Sequence, residues 1–152
     1  MAFERGPYLT TATFCEQVLQ ETSGVLSLIR IVDRMIISSS GPDAPEAMPP
    51  AQLNWMLVIT LKSGDARGSH AVRIVPQRPS GETMAPITLS VHLEGENKGQ
   101  NLIARTNMSL EMPGIYWFQI YVDDQLITKV PLEVIYSRIV TPGPHRPPQR
   151  EG

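Results

Sequence analysis

The sequence predicts an all-β protein: an antiparallel two-sheet sandwich of about eight strands, followed by a proline-rich C-terminal tail. Three observations carry that expectation. Apolar residues alternate along Leu53–Leu61, Ile87–Leu93 and Tyr116–Val122, the period-two pattern of strands with one buried face. Met112-Pro113-Gly114 forms a tight turn into the last of these, and Asp123-Asp124 returns the chain along Leu126 to Ile135 as a hairpin. The 14 prolines and 11 glycines fall at turn positions and in the tail, as expected where short strands are joined by tight connections.

The elements follow in order. Tyr8 to Leu19, with Thr10, Thr11 and Thr13, reads as a strand, although Phe14, Val18 and Leu19 would also share one face of a helical turn. Ser23-Gly24 marks a turn. Val25 to Ile37 is dense in Leu, Ile and Val at both parities, and reads as one strand covered on both sides with a bulge near Arg30. Ser38 to Ala51 has four prolines and no apolar period, so it reads as a long irregular loop, a kind of segment that often carries function. Leu53, Trp55, Leu57, Ile59 and Leu61 share one face of the next strand. Ser63 to Ser69 turns the chain into a strand with His70, Val72 and Ile74 on one side, and Pro76 to Pro86 is a second irregular connection. Ile87, Leu89, Val91 and Leu93 line a strand face, Gly95 to Gly99 is a turn, and Leu102 to Met112 gives a further half-buried row. In the final hairpin Tyr116, Phe118, Ile120 and Val122 are answered by Leu126, Val130, Leu132 and Val134. Pro131 lacks an amide donor, which puts the return strand at an edge or leaves it pairing through its other side. Residues 1–137 therefore read as one sandwich domain and 138–152 as a flexible, extended tail.

Length, charge and cysteine count narrow the function classes. A chain of 152 residues suits one core. The net charge is −2 and the 13 basic residues are scattered, with no block to neutralise a run of phosphates, so nucleic acid is not an expected partner. Cys15 is the only cysteine, which excludes an intramolecular disulfide and a multi-cysteine metal site. Met1 to Pro7 does not read as a secretory signal, and no apolar run approaches the ~20 residues that span a bilayer. The expected location is the cytoplasm.

Two resemblances add to this. Gly114-Ile115-Tyr116-Trp117-Phe118 resembles the turn and start of strand F in immunoglobulin-like domains, where a tyrosine hydrogen-bonds back to the corner backbone. Tyr116 would be that tyrosine, Phe118 would fill the cysteine position, and Trp55 would be the core tryptophan. Pro-Gly before an aromatic strand also occurs in C2-like sandwiches, so the expected architecture is immunoglobulin-like or C2-like. Thr13 to Val18, Gly24 to Asp33, Pro113-Gly114-Ile115-Tyr116, Val122-Asp123 and Pro131 to Val134 together look like a family of uncharacterised bacterial proteins. That likeness implies a bacterial cytoplasmic origin and no site residues.

The search for chemistry finds little. His70, His92 and His145 are scattered, and the reading assigns none of them a metal-ligand partner. Cys15 precedes Glu16, a charge that discourages a thiolate, and reads as a buried structural thiol. No nucleophile elbow, phosphate loop or dinucleotide fingerprint occurs. No cofactor is expected, and the chain is not expected to be an enzyme. A histidine beside a carboxylate in a cleft, at His70 or His92, would reverse that. Asp123 and Asp124 would be the metal ligands of a C2-like calcium- or membrane-binding module. The favoured candidates are Trp117 and Tyr121. With Tyr116, Phe118 and Ile120 facing the core, these two lie on the opposite parity, either exposed as an anchor or covered by a loop such as Ser38 to Ala51. The expectation is a non-enzymatic interaction module that binds another protein or self-associates, through the strip bearing Trp117 and Tyr121, through an edge strand, or through the Ser38 to Ala51 loop. A carbohydrate-binding module is a further alternative.

Overall fold

The computed structural model describes residues 4–143, and every regular element among them is a strand. In chain order these are β1 (Tyr8–Gln20), β2 (Leu26–Val32), β3 (Arg34–Gly41), β4 (Ala51–Leu53), β5 (Met56–Lys62), β6 (Arg67–Gln77), β7 (Ile87–Glu94), β8 (Gly99–Arg105), β9 (Met108–Leu110), β10 (Gly114–Val122) and β11 (Gln125–Val140). They form a four-stranded sheet in the order β2-β1-β5-β8, a five-stranded sheet in the order β3-β11-β10-β6-β7, and a β4-β9 pair. All pairings are antiparallel except β3 with β11, which is parallel.

One buried cluster draws on both larger sheets. Phe14, Leu57, Ile59 and Leu61 come from the four-stranded sheet, and Ile74, Tyr116, Phe118 and Ile120 from the five-stranded one. The alternation read from the sequence explains the membership: each of these positions falls on the inward parity of its strand. Phe14 and Phe118 meet across the core edge to face, with ring centroids 4.8 Å apart. That geometry sets the positive edge of one ring against the negative face of the other.

Several local expectations change. Val25 to Ile37 is not one doubly covered strand: it divides at Asp33, and β2 lies at the edge of its sheet with Ile31 64% exposed. Arg30 sits at φ +57°, the irregularity expected there, and pairs with Glu16 of β1 at 3.0 Å. The break lets the chain leave one sheet at β2 and enter the other at β3. The loop expected over Ser38 to Ala51 is shorter, residues 42–50, because β3 continues to Gly41. It is also anchored: Met48 joins the core, the Tyr136 hydroxyl donates to the Pro45 carbonyl at 2.6 Å, and Arg138 Nε donates to the Ala44 carbonyl at 2.9 Å. Trp55 lies between β4 and β5 and packs against the cluster only partly buried, whereas Phe14 is fully buried in it. β11 runs to Val140, three residues beyond the expected end of the domain at 137, because β3 supplies it with a partner as far as Gly41. His145 and the rest of 144–152 lie outside the described residues.

The β1–β2 hairpin has a second role. Cys15 and Val58 are buried although they lie on the face of their sheet turned away from the main cluster. Val25, Leu26 and Leu28 from the hairpin line a 340 Å³ cavity together with Thr11, Val58, Thr60 and Asn101. The hairpin end therefore folds over the outer face of its own sheet.

Candidate functional site

β10 carries the candidate strip. It lies between β11 and β6 in the five-stranded sheet, so its backbone is paired on both sides and its side chains alternate between core and surface. Tyr116, Phe118, Ile120 and Val122 are buried; Ile115, Trp117, Gln119 and Tyr121 face outward. The entry turn holds this register. Gly114 has φ +128°, and a Cβ there would lie 2.7 Å from the Pro79 side chain, so only glycine fits without a shift. The Tyr116 hydroxyl donates to the Met112 carbonyl at 2.7 Å and accepts the Met112 amide at 3.4 Å. This is the corner hydrogen bond that the sequence predicted for Tyr116.

The two favoured aromatics differ. Trp117 is 38% exposed, registered between Pro131 of β11 and Gln77 of β6, with Ile115 beside it 46% exposed. Next to Ile115, Asp33, Pro131 and Glu133 complete a 260 Å³ depression. Tyr121 is half-buried. The Arg73 guanidinium stacks over its ring at 4.8 Å, and its hydroxyl donates to Gln119 Oε1 at 3.2 Å. Trp117 is thus the more open of the two, and Arg73 already covers Tyr121.

Asp123 and Asp124 form the tip of the β10–β11 hairpin at φ +47° and +65°, the two left-handed positions of a two-residue turn. Each has a partner within the chain. Asp123 Oδ2 meets His70 Nδ1, Asp123 Oδ1 accepts the Ala71 amide at 3.1 Å, and the Asp123 amide donates to the Ala71 carbonyl at 2.9 Å. Asp124 lies 3.6 Å from Arg73. The turn is thereby fastened to β6. Among the described residues no group of three or more His, Cys, Asp or Glu side chains could hold a metal ion.

The sequence reading missed the His70–Asp123 pair, since 53 residues separate the two and no local spacing announces them. Its chemistry is self-contained. His70 Nε2 faces the Arg67 carbonyl at 3.0 Å, so both ring nitrogens meet acceptors and the doubly protonated imidazolium satisfies both. The hydrogen bond with Asp123 raises the His70 pKa against partial desolvation, helped by the Arg67 carbonyl and the Asp123 charge. At Asp123 desolvation pushes the carboxyl up, but the His70 and Ala71 hydrogen bonds and the imidazolium charge outweigh it and leave it lowered. While it is protonated, a histidine held this way has no lone pair to offer as a base.

His92 calls for a correction too. It and Glu94, two apart on β7, share the outer face and line an open 450 Å³ depression with Arg67 and Lys98. That i, i+2 spacing is legible in the sequence. Glu94 is 3.5 Å from Lys98, so its carboxylate is already paired with a cation. Burial pushes the Cys15 thiol up, against a backbone hydrogen bond from Gln17, which suits a structural residue better than a nucleophile.

What the fold and this site define is an all-β protein with an aromatic strip on the outer face of its larger sheet. The chain belongs to a family of unknown function (DUF6941), whose profile matches residues 10–135. No curated protein matches it. Among solved structures, an immunoglobulin-like protein from Pseudomonas aeruginosa is similar at 12% identity and a TM-score of 0.40, over 80% of this chain and 90% of that one. The Pseudomonas fluorescens alkylpurine DNA glycosylase AlkC, bound to DNA containing an abasic site analogue, is similar at 11% identity and a TM-score of 0.41. That match covers 64% of this chain, which spans only 27% of the glycosylase.

Proposed function

We propose that this protein is a non-enzymatic interaction module, an immunoglobulin-like sandwich of its two larger sheets that binds another protein through the outer face of β10. The sandwich reading is supported by the single cluster that both sheets share and by the Tyr116 corner. The observation that carries the binding reading is Trp117. A 38%-exposed tryptophan flanked by exposed Ile115 and Pro131, on a strand paired on both sides from Trp117 to Val122, is a rigid apolar anchor. Anchors of this kind dominate interface energies because a large ring is desolvated with little loss of conformational freedom. The non-enzymatic reading is supported by the closed hydrogen bonding of His70 and the paired state of Glu94. The lone, buried Cys15 is compatible with a reducing cytoplasm.

The test is affinity capture with the full chain, wild type beside Trp117→Ala and Tyr121→Ala, followed by titration of the purified partner. Trp117→Ala is expected to weaken binding by about thirtyfold, the loss of ~2 kcal/mol typical of a central aromatic. Tyr121→Ala is expected to do less, since Arg73 already covers that ring. A partner held equally well by folded Trp117→Ala would remove this strip from the interface.

A further inference from the structure

β3 is an edge of the five-stranded sheet: β11 pairs with it on one side, and no described strand pairs with it on the other. Two hydrogen bonds fix which of its backbone groups are used. The Glu133 amide donates to the Asp33 carbonyl at 3.4 Å, and the Thr141 amide donates to the Gly41 carbonyl at 3.2 Å. Along a strand, successive residues direct their backbone groups to opposite sides. Met35, Ile37 and Ser39 therefore bond to β11, while Arg34, Ile36, Ser38 and Ser40 turn their amides and carbonyls to the open side. The side chains of those same four residues are exposed, Ile36 at 59%. Beside them on the outer face stand Ile135, registered with Ile36, and Ile139, registered with Ser40 and 57% exposed.

Solvent-facing edges are ordinarily defended by proline, lysine, a bulge or shortness. This one has eight residues in unbroken register, with no proline or lysine and a single charge at Arg34. We propose that a second copy of this chain closes the edge, β3 pairing antiparallel with its counterpart about a two-fold axis so that two five-stranded sheets become one of ten. An isologous joint requires the strand to fit itself, and this one does. With Ile36 opposite its own counterpart, Arg34 falls opposite Ser38 of the partner subunit, so no like charges face each other. Arg34 also keeps Glu133 as its neighbour on β11. Ile36 and Ile135 of both copies then form one apolar stripe across the axis, and the outward backbone groups of Arg34, Ile36 and Ser38 find partners. This joint is independent of the Trp117 reading, since β10 lies two strands away.

The test is sedimentation velocity on the full chain over a wide range of concentration. The wild type is expected to sediment as a dimer. Ile36→Lys sets two cations against each other at the axis, and Ser38→Pro removes an amide that points only outward. Both are expected to convert the dimer to monomer at the same concentration with an unchanged far-ultraviolet spectrum. Trp117→Ala is expected to leave the dimer intact. Hydrogen exchange supplies a readout that needs no variant: in the wild type the amides of Arg34, Ile36 and Ser38 should exchange as slowly as those of Ile37 and Ser39. A wild type that stays monomeric throughout, fast exchange at those outward amides, or a dimer that survives both edge variants would overturn the proposal.

Discussion

Both ring nitrogens of His70 face acceptors, so its charged form does the fastening of the β10–β11 turn to β6. The pH consequence follows from the signs. The His70 pKa is raised above its ordinary 6.5, so its contribution is complete below about 6.5 and is lost as pH rises through the higher folded value. The Asp123 pKa is lowered, so its contribution is present above about 3.9 and is lost as pH falls through the lower folded value. Stabilisation by the pair is therefore greatest between about pH 4 and 6.5. Asp123 is half exposed, and solvent screening holds the expected contribution to about 1 kcal/mol. Asp123→Asn should bring the His70 titration, followed by NMR of the imidazole, back toward its ordinary value. It should also flatten the fall in melting temperature between pH 6 and 8. An unshifted His70 in the wild type would show that the ring is not held as the imidazolium.

The strands of the final hairpin show how a few positions decide an element. Pro131 sits inside β11 without removing a ladder bond. The Glu133 amide points toward β3, so position 131 points the same way, and β3 begins pairing only at Glu133. The strand is thus locally an edge at Pro131 and an interior strand two residues later, which reconciles the proline with a central position. At the other end, the corner bond of Tyr116 joins the Met112 turn to β10. Tyr116 is 1% exposed, so Tyr116→Phe would leave the part-buried Met112 carbonyl short of a partner. The expected loss is about 1–3 kcal/mol, read as a lower urea midpoint with an unchanged slope. A midpoint equal to wild type would mean that water reaches that carbonyl.

At the scale of the molecule the two larger sheets depend on each other through a small number of large side chains. Phe14 is the largest that the four-stranded sheet contributes to the shared cluster, and it meets Phe118 directly. Phe14→Ala should remove about 3–5 kcal/mol, transfer loss and cavity together. That is a large part of the ~5–15 kcal/mol that holds a domain of this size. Thermal unfolding of the variant should begin near room temperature or fail to show a cooperative transition. A melting temperature close to wild type would mean that the sheets close over the gap.

Local pattern determined much of this protein. Alternation along Leu57–Leu61, Ile87–Leu93 and Tyr116–Val122 placed the core faces, because a strand's side-chain period is two wherever it packs. Pro113-Gly114 and Asp123-Asp124 placed the turns, because few residues accept positive φ. The outward parity of Trp117 and Tyr121 followed from the same alternation. Tertiary structure alone decided the rest. Asp33 splits an apolar run whose residues gave no sign of changing sheets. Arg73 covers Tyr121 and leaves Trp117 open, His70 reaches Asp123 across 53 residues, and β3 meets β11 in parallel while its other side stays bare. These are pairings between residues remote in sequence, set by which strands become neighbours, and a single strand's pattern carries no record of its neighbour.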